Sequence, residues 1–203
     1  DRNTQIIWGI ADFEKRFNRK PEGMWLAETA VDTATLELLA QHNILFTILA
    51  PRQAKAFRKL NDDQWQTINE NQLDTAIPYA YKLPSGRTIA LFFYNGQISR
   101  EVAFNGLLNS GKLFADRLIA ATRDTEQPQL IHIATDGESY GHHHYRGDMA
   151  LASCIDYLKK NKSVTLTNYG EFLAKFPPQY EIQIHENSSW SCADHCLVNG
   201  CVI

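Results

Sequence analysis

The sequence predicts an α/β protein assembled from parallel βα units, and three observations carry that expectation. Apolar stretches of strand length alternate along the chain with stretches whose apolar residues recur at helical spacing. The run ILFTILA, residues 44–50, is almost wholly apolar, as in strands buried on both faces of a parallel sheet. No linker, low-complexity segment or internal repeat interrupts the 203 residues. Alternation of this kind implies right-handed parallel crossovers, in a barrel or an open sheet.

Taken in order, Ile6, Ile7, Ile10, Phe13 and Phe17 define a first helix, stopped by Pro21. GMWLAE, residues 23–28, is a short apolar run read as a strand over Met24 to Ala27. Asp32 is a candidate N-cap for the helix DTATLELLAQHN, with Leu36, Leu39 and Ala40 on one face. After the strand at 44–50, PRQAKAFRKL opens with proline at the first helical position and is predicted to be helical. Residues 61–76 are polar and amide-rich around an isolated Trp65, which reads as a loop. IPYAYKLPSGRTIALFFYN then reads as two strands joined by Pro84-Ser85-Gly86, an inserted β-hairpin within a segment of about 61–97. Ser99 to Thr122 is predicted helical with a break near Asn109 to Gly111, followed by a strand at Leu130 to Thr135 and a helix at Asp148 to Lys160. SVTLT, NYGEFLAKF and YEIQIHE repeat the pattern as strand, helix and strand. Five candidate parallel strands result, fewer than the eight of a complete barrel.

Composition excludes several classes. A net charge of −3 with 21% charged residues is that of a soluble globular protein and lacks the basic face of a nucleic-acid binder. No apolar run approaches the eighteen or so residues of a membrane span. The N-terminus DRNTQIIWGIADFEKRF has no basic region followed by an apolar stretch, so a cytoplasmic location is expected. It also begins without methionine and almost inside a helix, which points to processing or to a piece of a longer chain. Cys154 lies in an apolar helical pattern and is expected to be buried and inert. Cys192, Cys196 and Cys201 form, with His195, a cysteine-rich tail over 191–203 whose C-x3-C-x4-C spacing is not a standard zinc knuckle. That tail is expected to be disordered or dependent on a partner.

In α/β folds the active site forms beyond the C-terminal ends of the parallel strands. Three predicted strands end in unusual chemistry: one in Glu28, one in Asp136-Gly137-Glu138 before His142, His143 and His144, and one in His185-Glu186-Asn187-Ser188-Ser189-Trp190. The other two end quietly, in Leu49-Ala50-Pro51 and Thr167-Asn168. Each feature has a plainer reading. An acid after a strand often caps the next helix, but Asp32 already fills that role and leaves Glu28 free. Asp136 before Gly137 suits an Asx turn, and Glu138 suits the start of a helix. Three consecutive histidines cannot all face one centre, so at most two belong to a site. Trp25 reads equally as core or as a sugar platform beside Glu28. Two carboxylates from separate strands, with aromatics around them, nonetheless suit glycoside chemistry, in which one carboxyl donates a proton while the other stays ionised.

GMWLAETAVD and ATDGESYGHHHYRGDMALA resemble two regions of glycoside hydrolase family 57, most closely a bacterial branch with an extra C-terminal domain. The resemblance implies that Glu28, at the end of Trp25-Leu26-Ala27-Glu28, is a nucleophile. It implies that Asp136, in Asp136-Gly137-Glu138, is the general acid/base. It further implies retention of configuration on α-linked glucans, by hydrolysis or transfer, on an incomplete (β/α)7 barrel without a metal or other cofactor. Trp25, Glu138, His142, His143, His144, His185 and Trp190 would then bind the sugar or support the acids. The family's early strand ending in His-Gln-Pro has no counterpart here, so residue 1 would fall inside the barrel. Residues 1–190 would supply part of it, and the remaining barrel segments of a longer chain would be needed. The expected partner is carbohydrate, with no nucleic acid and no membrane.

Two other classes compete. A metal-dependent polysaccharide deacetylase needs an Asp and two His around a divalent ion, for which Asp136 with His142 or His144 would have to serve. Positions 146 and 148, four residues beyond those histidines, are Arg and Asp rather than His. A non-catalytic carbohydrate-binding module would keep the same motifs and bind glucan without turnover.

Overall fold

The computed structural model describes residues 1–191. They form two compact units, one of Asp1–Phe93 with the chain from Leu173 onward, the other of Tyr94–Phe172.

The first unit is a curled six-stranded sheet with two helices. Helix α1 (Arg2–Phe17) ends in a left-handed Asn18, and α2 (Thr33–Gln41) is capped as expected, Thr35 N–H donating to Asp32 Oδ1 at 2.7 Å. Arg2 pairs with Asp32 at 2.6 Å and ties the two helices together. Burial works to raise the Asp32 carboxyl, but the Thr35 and Arg2 bonds outweigh it and hold it below the usual range. The strands are β1 (Phe46–Leu49), β2 (Ala54–Lys59), β3 (Gln66–Thr67), β4 (Tyr79–Lys82), β5 (Thr88–Phe93) and β6 (Tyr180–Ile184), in spatial order β1-β5-β4-β6-β2-β3. β1 runs parallel to β5 and β4 to β6, while the remaining pairs are antiparallel. The expected hairpin is β4–β5, closed by Leu83 and Arg87 around Gly86 at φ 83°, and both its strands are built into the sheet. Leu36, Leu39, Leu49, Tyr79, Leu91, Phe93 and Ile182 form the core of this unit.

The connection from β1 to β2 shows that the sheet must curl. These strands stand four places apart in the sheet, about 19 Å if it were flat. Only residues 50–53 join them, and Pro51–Gln53 form a 3-10 turn that rises about 2 Å per residue. A chain that short cannot cross a flat sheet. The curl brings the turns at 27–29, 50–53 and 185–190 together.

The second unit is helical. Helix α3 (Gly96–Phe104) is capped by Asn95, which accepts from Ile98 N–H. Helix α4 (Gly111–Ile119) follows the expected break, here a left-handed Gly106 and a 3-10 turn at Leu107–Asn109. Helix α5 (Gly147–Lys160) packs on α4, and α6 (Tyr169–Lys175) leads back towards β6. Ile98, Val102, Leu108, Phe114, Ala115, Ala150 and Cys154 make the core. Burial pushes the Cys154 thiol up to about 11, in keeping with an inert buried cysteine. Gly111 lets α4 approach α5 closely: a Cβ there would lie 2.5 Å from Ser153 Cβ and 2.6 Å from the Ala150 carbonyl oxygen. Gly111→Ala should therefore cost about 1–3 kcal/mol through overpacking, more than the fraction of a kcal/mol that alanine's helix propensity returns. Urea denaturation of the two proteins measures the difference.

Several sequence expectations are corrected. Residues 54–59 are strand, not helix. Ala54 and Ala56 point inward and Lys55 outward, and pairing with β6 and β3 outweighs the helix-forming residues. Arg58 lies in this strand, bonded twice to the buried Glu181, with its guanidinium 4.5 Å above the Trp65 ring. Trp65 is thus part of a contact rather than isolated. The strand expected at Met24 to Ala27 shrinks to a parallel bridge between Gly23 and Phe46, fixed by Thr47 Oγ1 donating to the Met24 carbonyl. Leu130 to Thr135 and Ser163 to Thr167 belong to no strand among the described residues. The first is anchored by Asn95 N–H on the His132 carbonyl and by Ser99 Oγ, which accepts from Ala134 N–H. The cysteine-rich tail with Cys192, His195, Cys196 and Cys201 lies outside the described residues. Among the described residues, no helix is long and apolar enough to cross a membrane.

Candidate active site

In the first unit the chain leaves the Gly23–Phe46 bridge and turns sharply through Ala27–Thr29. Glu28 at φ 57° and Thr29 at φ 51° both adopt left-handed backbone, which non-glycine residues take only when their surroundings hold them there. The side chain of Glu28 is exposed, while Thr29 is fully buried. Trp190 grips the acid twice. Its indole N–H donates to Glu28 Oε2 at 2.9 Å and its backbone N–H to the Glu28 carbonyl at 3.0 Å. Trp25 meets Trp190 edge to face with ring centroids 5.2 Å apart, and 43% of Trp25 stays open to solvent. It is an exposed aromatic beside the acid rather than core.

Behind this turn lies a residue that no motif or spacing in the sequence singles out. Gln53 is fully buried and fills all four hydrogen-bonding positions of its side chain. Its Oε1 accepts from Thr29 Oγ1 and Ala50 N–H, both at 2.8 Å. Its Nε2 donates to the Thr29 carbonyl at 2.9 Å and to Ser188 Oγ at 3.2 Å. Ser188 in turn donates to the His185 carbonyl and bridges to Val31. His185 takes part through its backbone, its N–H donating to the Gln53 carbonyl at 2.8 Å. Glu186 likewise binds Thr33, through its backbone N–H at 2.9 Å and its hydroxyl, and Thr33 shares a proton with Tyr81 at 2.6 Å. Burial, assisted by the Glu186 carboxylate, raises the Tyr81 phenol against the opposing Thr33 bond.

In the second unit Asp136 stands at the start of the 3-10 turn Gly137–Tyr140, exposed, its side chain capping nothing. The Asx-turn reading is thus not what the structure shows. The backbone does the holding: Ser139 N–H donates to the Asp136 carbonyl, and His142 and His143 N–H both donate to the Glu138 carbonyl. Gly137 has open space where a Cβ would stand. His142 and His143 are exposed, ring against ring at 4.9 Å. His144 is committed elsewhere, its Nε2 lying 2.8 Å from the Ala103 carbonyl of α3. It fastens the loop to the helix. Gly147 seats that loop at close range, since a Cβ there would lie 2.9 Å from the Ser139 carbonyl oxygen. Beneath, the buried His132 bonds the Tyr169 hydroxyl at 2.9 Å through Nδ1, and burial drives that phenol strongly upward.

The predicted residues thus fall into two groups, Glu28 with Trp25, His185 and Trp190 in one unit, and Asp136 with Glu138, His142, His143 and His144 in the other. Among the described residues, no three His, Cys, Asp or Glu side chains come together as a metal site.

No curated protein sequence matches the chain. Solved structures do. A branching enzyme from Thermococcus kodakaraensis, in complex with glucose, matches 93% of this chain and 46% of its own length, with 17% identity and a TM-score of 0.69. An α-amylase from Thermotoga maritima matches 94% of this chain and 48% of its own length, at 15% identity and a TM-score of 0.67. A 4-alpha-glucanotransferase from Thermococcus litoralis matches 88% and 26%, at 17% identity and a TM-score of 0.67. At identities this low the likeness shows the fold alone, and the chain spans less than half the length of each of these relatives. The family model Glycosyl hydrolase family 57 matches residues 1–185, and the chain belongs to that family.

Proposed function

We propose that this chain forms part of the catalytic domain of a retaining enzyme that hydrolyses or transfers α-linked glucans. Glu28 is the nucleophile and Asp136 the general acid/base. The observation that supports this best is the Glu28 turn. An exposed carboxylate sits in a rare backbone conformation, one oxygen fixed by an indole N–H, with an open aromatic beside it. No described residue donates to the other oxygen, Oε1, which is therefore available to an anomeric carbon. A bond to Oε2 from a rigid donor orients the attacking group without solvent reorganisation. The named activities of the solved relatives, branching, transfer and amylolysis, all act on α-glucan and support that substrate class.

In the first step Glu28 attacks the anomeric carbon while Asp136 protonates the departing oxygen. In the second, Asp136 accepts a proton from water or from a sugar hydroxyl as that oxygen displaces Glu28. Which acceptor wins decides between hydrolysis and transfer. Incubating the full-length protein with maltoheptaose, and following products by chromatography and anomeric configuration by NMR, tests the reading. Products of retained configuration are expected. Binding of maltoheptaose with no turnover would instead make the protein a carbohydrate-binding module.

Trp190→Phe isolates the indole bond. It keeps a ring against Trp25 but removes the donor to Glu28, and should lower kcat/KM about tenfold. Trp190→Ala, which also removes the ring, should lose more.

A further inference from the structure

We propose that Gln53 is the positioning residue that holds the Glu28 turn in its attacking geometry. This inference rests on the nucleophile role proposed for Glu28. Two consecutive residues, Glu28 and Thr29, have positive φ, and neither is glycine. Such a turn relaxes unless something beneath it is fixed. Gln53 supplies that fixed point from a different turn of the chain. It holds Thr29 by both its hydroxyl and its carbonyl, Ala50 by its N–H, and Ser188 by its hydroxyl.

Ser188 lies two residues before Trp190, the donor to Glu28. One amide therefore sets the position of both the acid's backbone and the segment that carries its hydrogen-bond donor. Glutamine suits the place because it offers two acceptor and two donor positions, and all four are used. Glutamate would set a second acceptor against the Thr29 carbonyl, and methionine would leave the buried Thr29 hydroxyl, Thr29 carbonyl and Ala50 N–H without the partner Gln53 provides. Gln53 does not touch Glu28, so its effect passes entirely through the geometry of the turn. A displacement of about 1 Å in an attacking group costs on the order of 100-fold in rate.

The test uses the full-length protein and 5-fluoro-α-D-glucosyl fluoride. A Glu28 oxygen forms a bond to the anomeric carbon, the carbon–fluorine bond breaks, and fluoride leaves with its electron pair. Asp136 is not needed for that step. Covalent labelling of the Glu28 peptide is followed by mass spectrometry, well below the melting temperature of every variant. For Gln53→Met the rate constant of labelling at saturating probe should fall about 100-fold, with the half-saturating probe concentration nearly unchanged. Thr29→Val, which keeps the shape and removes one bond, should lose about tenfold and serves if Gln53→Met does not fold. Partial unfolding would lower the labelled fraction and leave the rate constant intact, an outcome that counts against positioning. Wild-type rate constants in both variants would overturn the inference and leave the nucleophile in place. If the wild-type protein itself is never labelled at Glu28, the nucleophile role fails, and the positioning role with it.

Discussion

Glu28→Gln in the full-length protein is expected to lower turnover of maltoheptaose by at least about 10⁴-fold, with binding of the sugar largely kept. The amide is nearly the same size and still accepts the Trp190 indole N–H at the position of Oε2. What it lacks is a charge to stabilise the developing cation and a lone pair able to form the glycosyl ester. Because the defect is chemical, it should be reparable. Shortening the side chain in Glu28→Ala opens room beside Trp190, and added azide should restore part of the activity on a glucosyl fluoride. The product should be a glucosyl azide of inverted configuration, since azide attacks from the side that Glu28 has vacated. Azide without effect, or a product of retained configuration, would assign the nucleophile elsewhere.

Asp136→Asn is expected to be almost as damaging for maltoheptaose and far milder for a fluoride or a nitrophenyl glucoside. In its proposed role the wild-type carboxyl protonates a poor leaving oxygen, whereas fluoride and nitrophenolate depart without a proton. The ratio of the two losses should reach about 10²–10⁴, the usual worth of general acid catalysis. The fold gives the substitution little reason to disturb anything else, because the Asp136 side chain caps no backbone N–H and is exposed. Equal losses on both kinds of substrate would mean that Asp136 does not act as the acid.

Much of this was legible in the sequence wherever the deciding interaction is local. Asp32 caps a helix three residues away, Gly86 turns a hairpin, and a helix restarts at Ser110 within the break expected near Asn109 to Gly111. The acids at 28 and 136 stand out because they follow apolar runs, and Glu28 also because Asp32 already caps the next helix. Residues 54–59 carry helix-forming side chains, but what makes them strand is a distant partner: Glu181 of β6 lies 123 positions from Arg58. Gln53 was invisible for the same reason, since its bond to Ser188 spans 135 positions. The runs at 130–135 and 163–167 have strand composition but no neighbouring strand among the described residues, and a ladder needs two. Long-range pairing, which propensity does not encode, decides such segments.

The bond from Trp190 to Glu28 also spans 162 positions, which sets a timetable for the birth of the site. Ribosomes add about 5–20 residues per second, so Glu28 emerges roughly ten to thirty seconds before its indole partner exists. During that interval β2 lacks β6, the buried Glu181 that will receive Arg58 has not been made, and the turn at 27–29 has only Gln53 beneath it. The segment Tyr94–Phe172 is continuous in sequence and can assemble its helices meanwhile from near neighbours. Glu28 is thus translated early and locked late, when the strand at 180–184 joins the sheet and carries Ser188 and Trp190 into place.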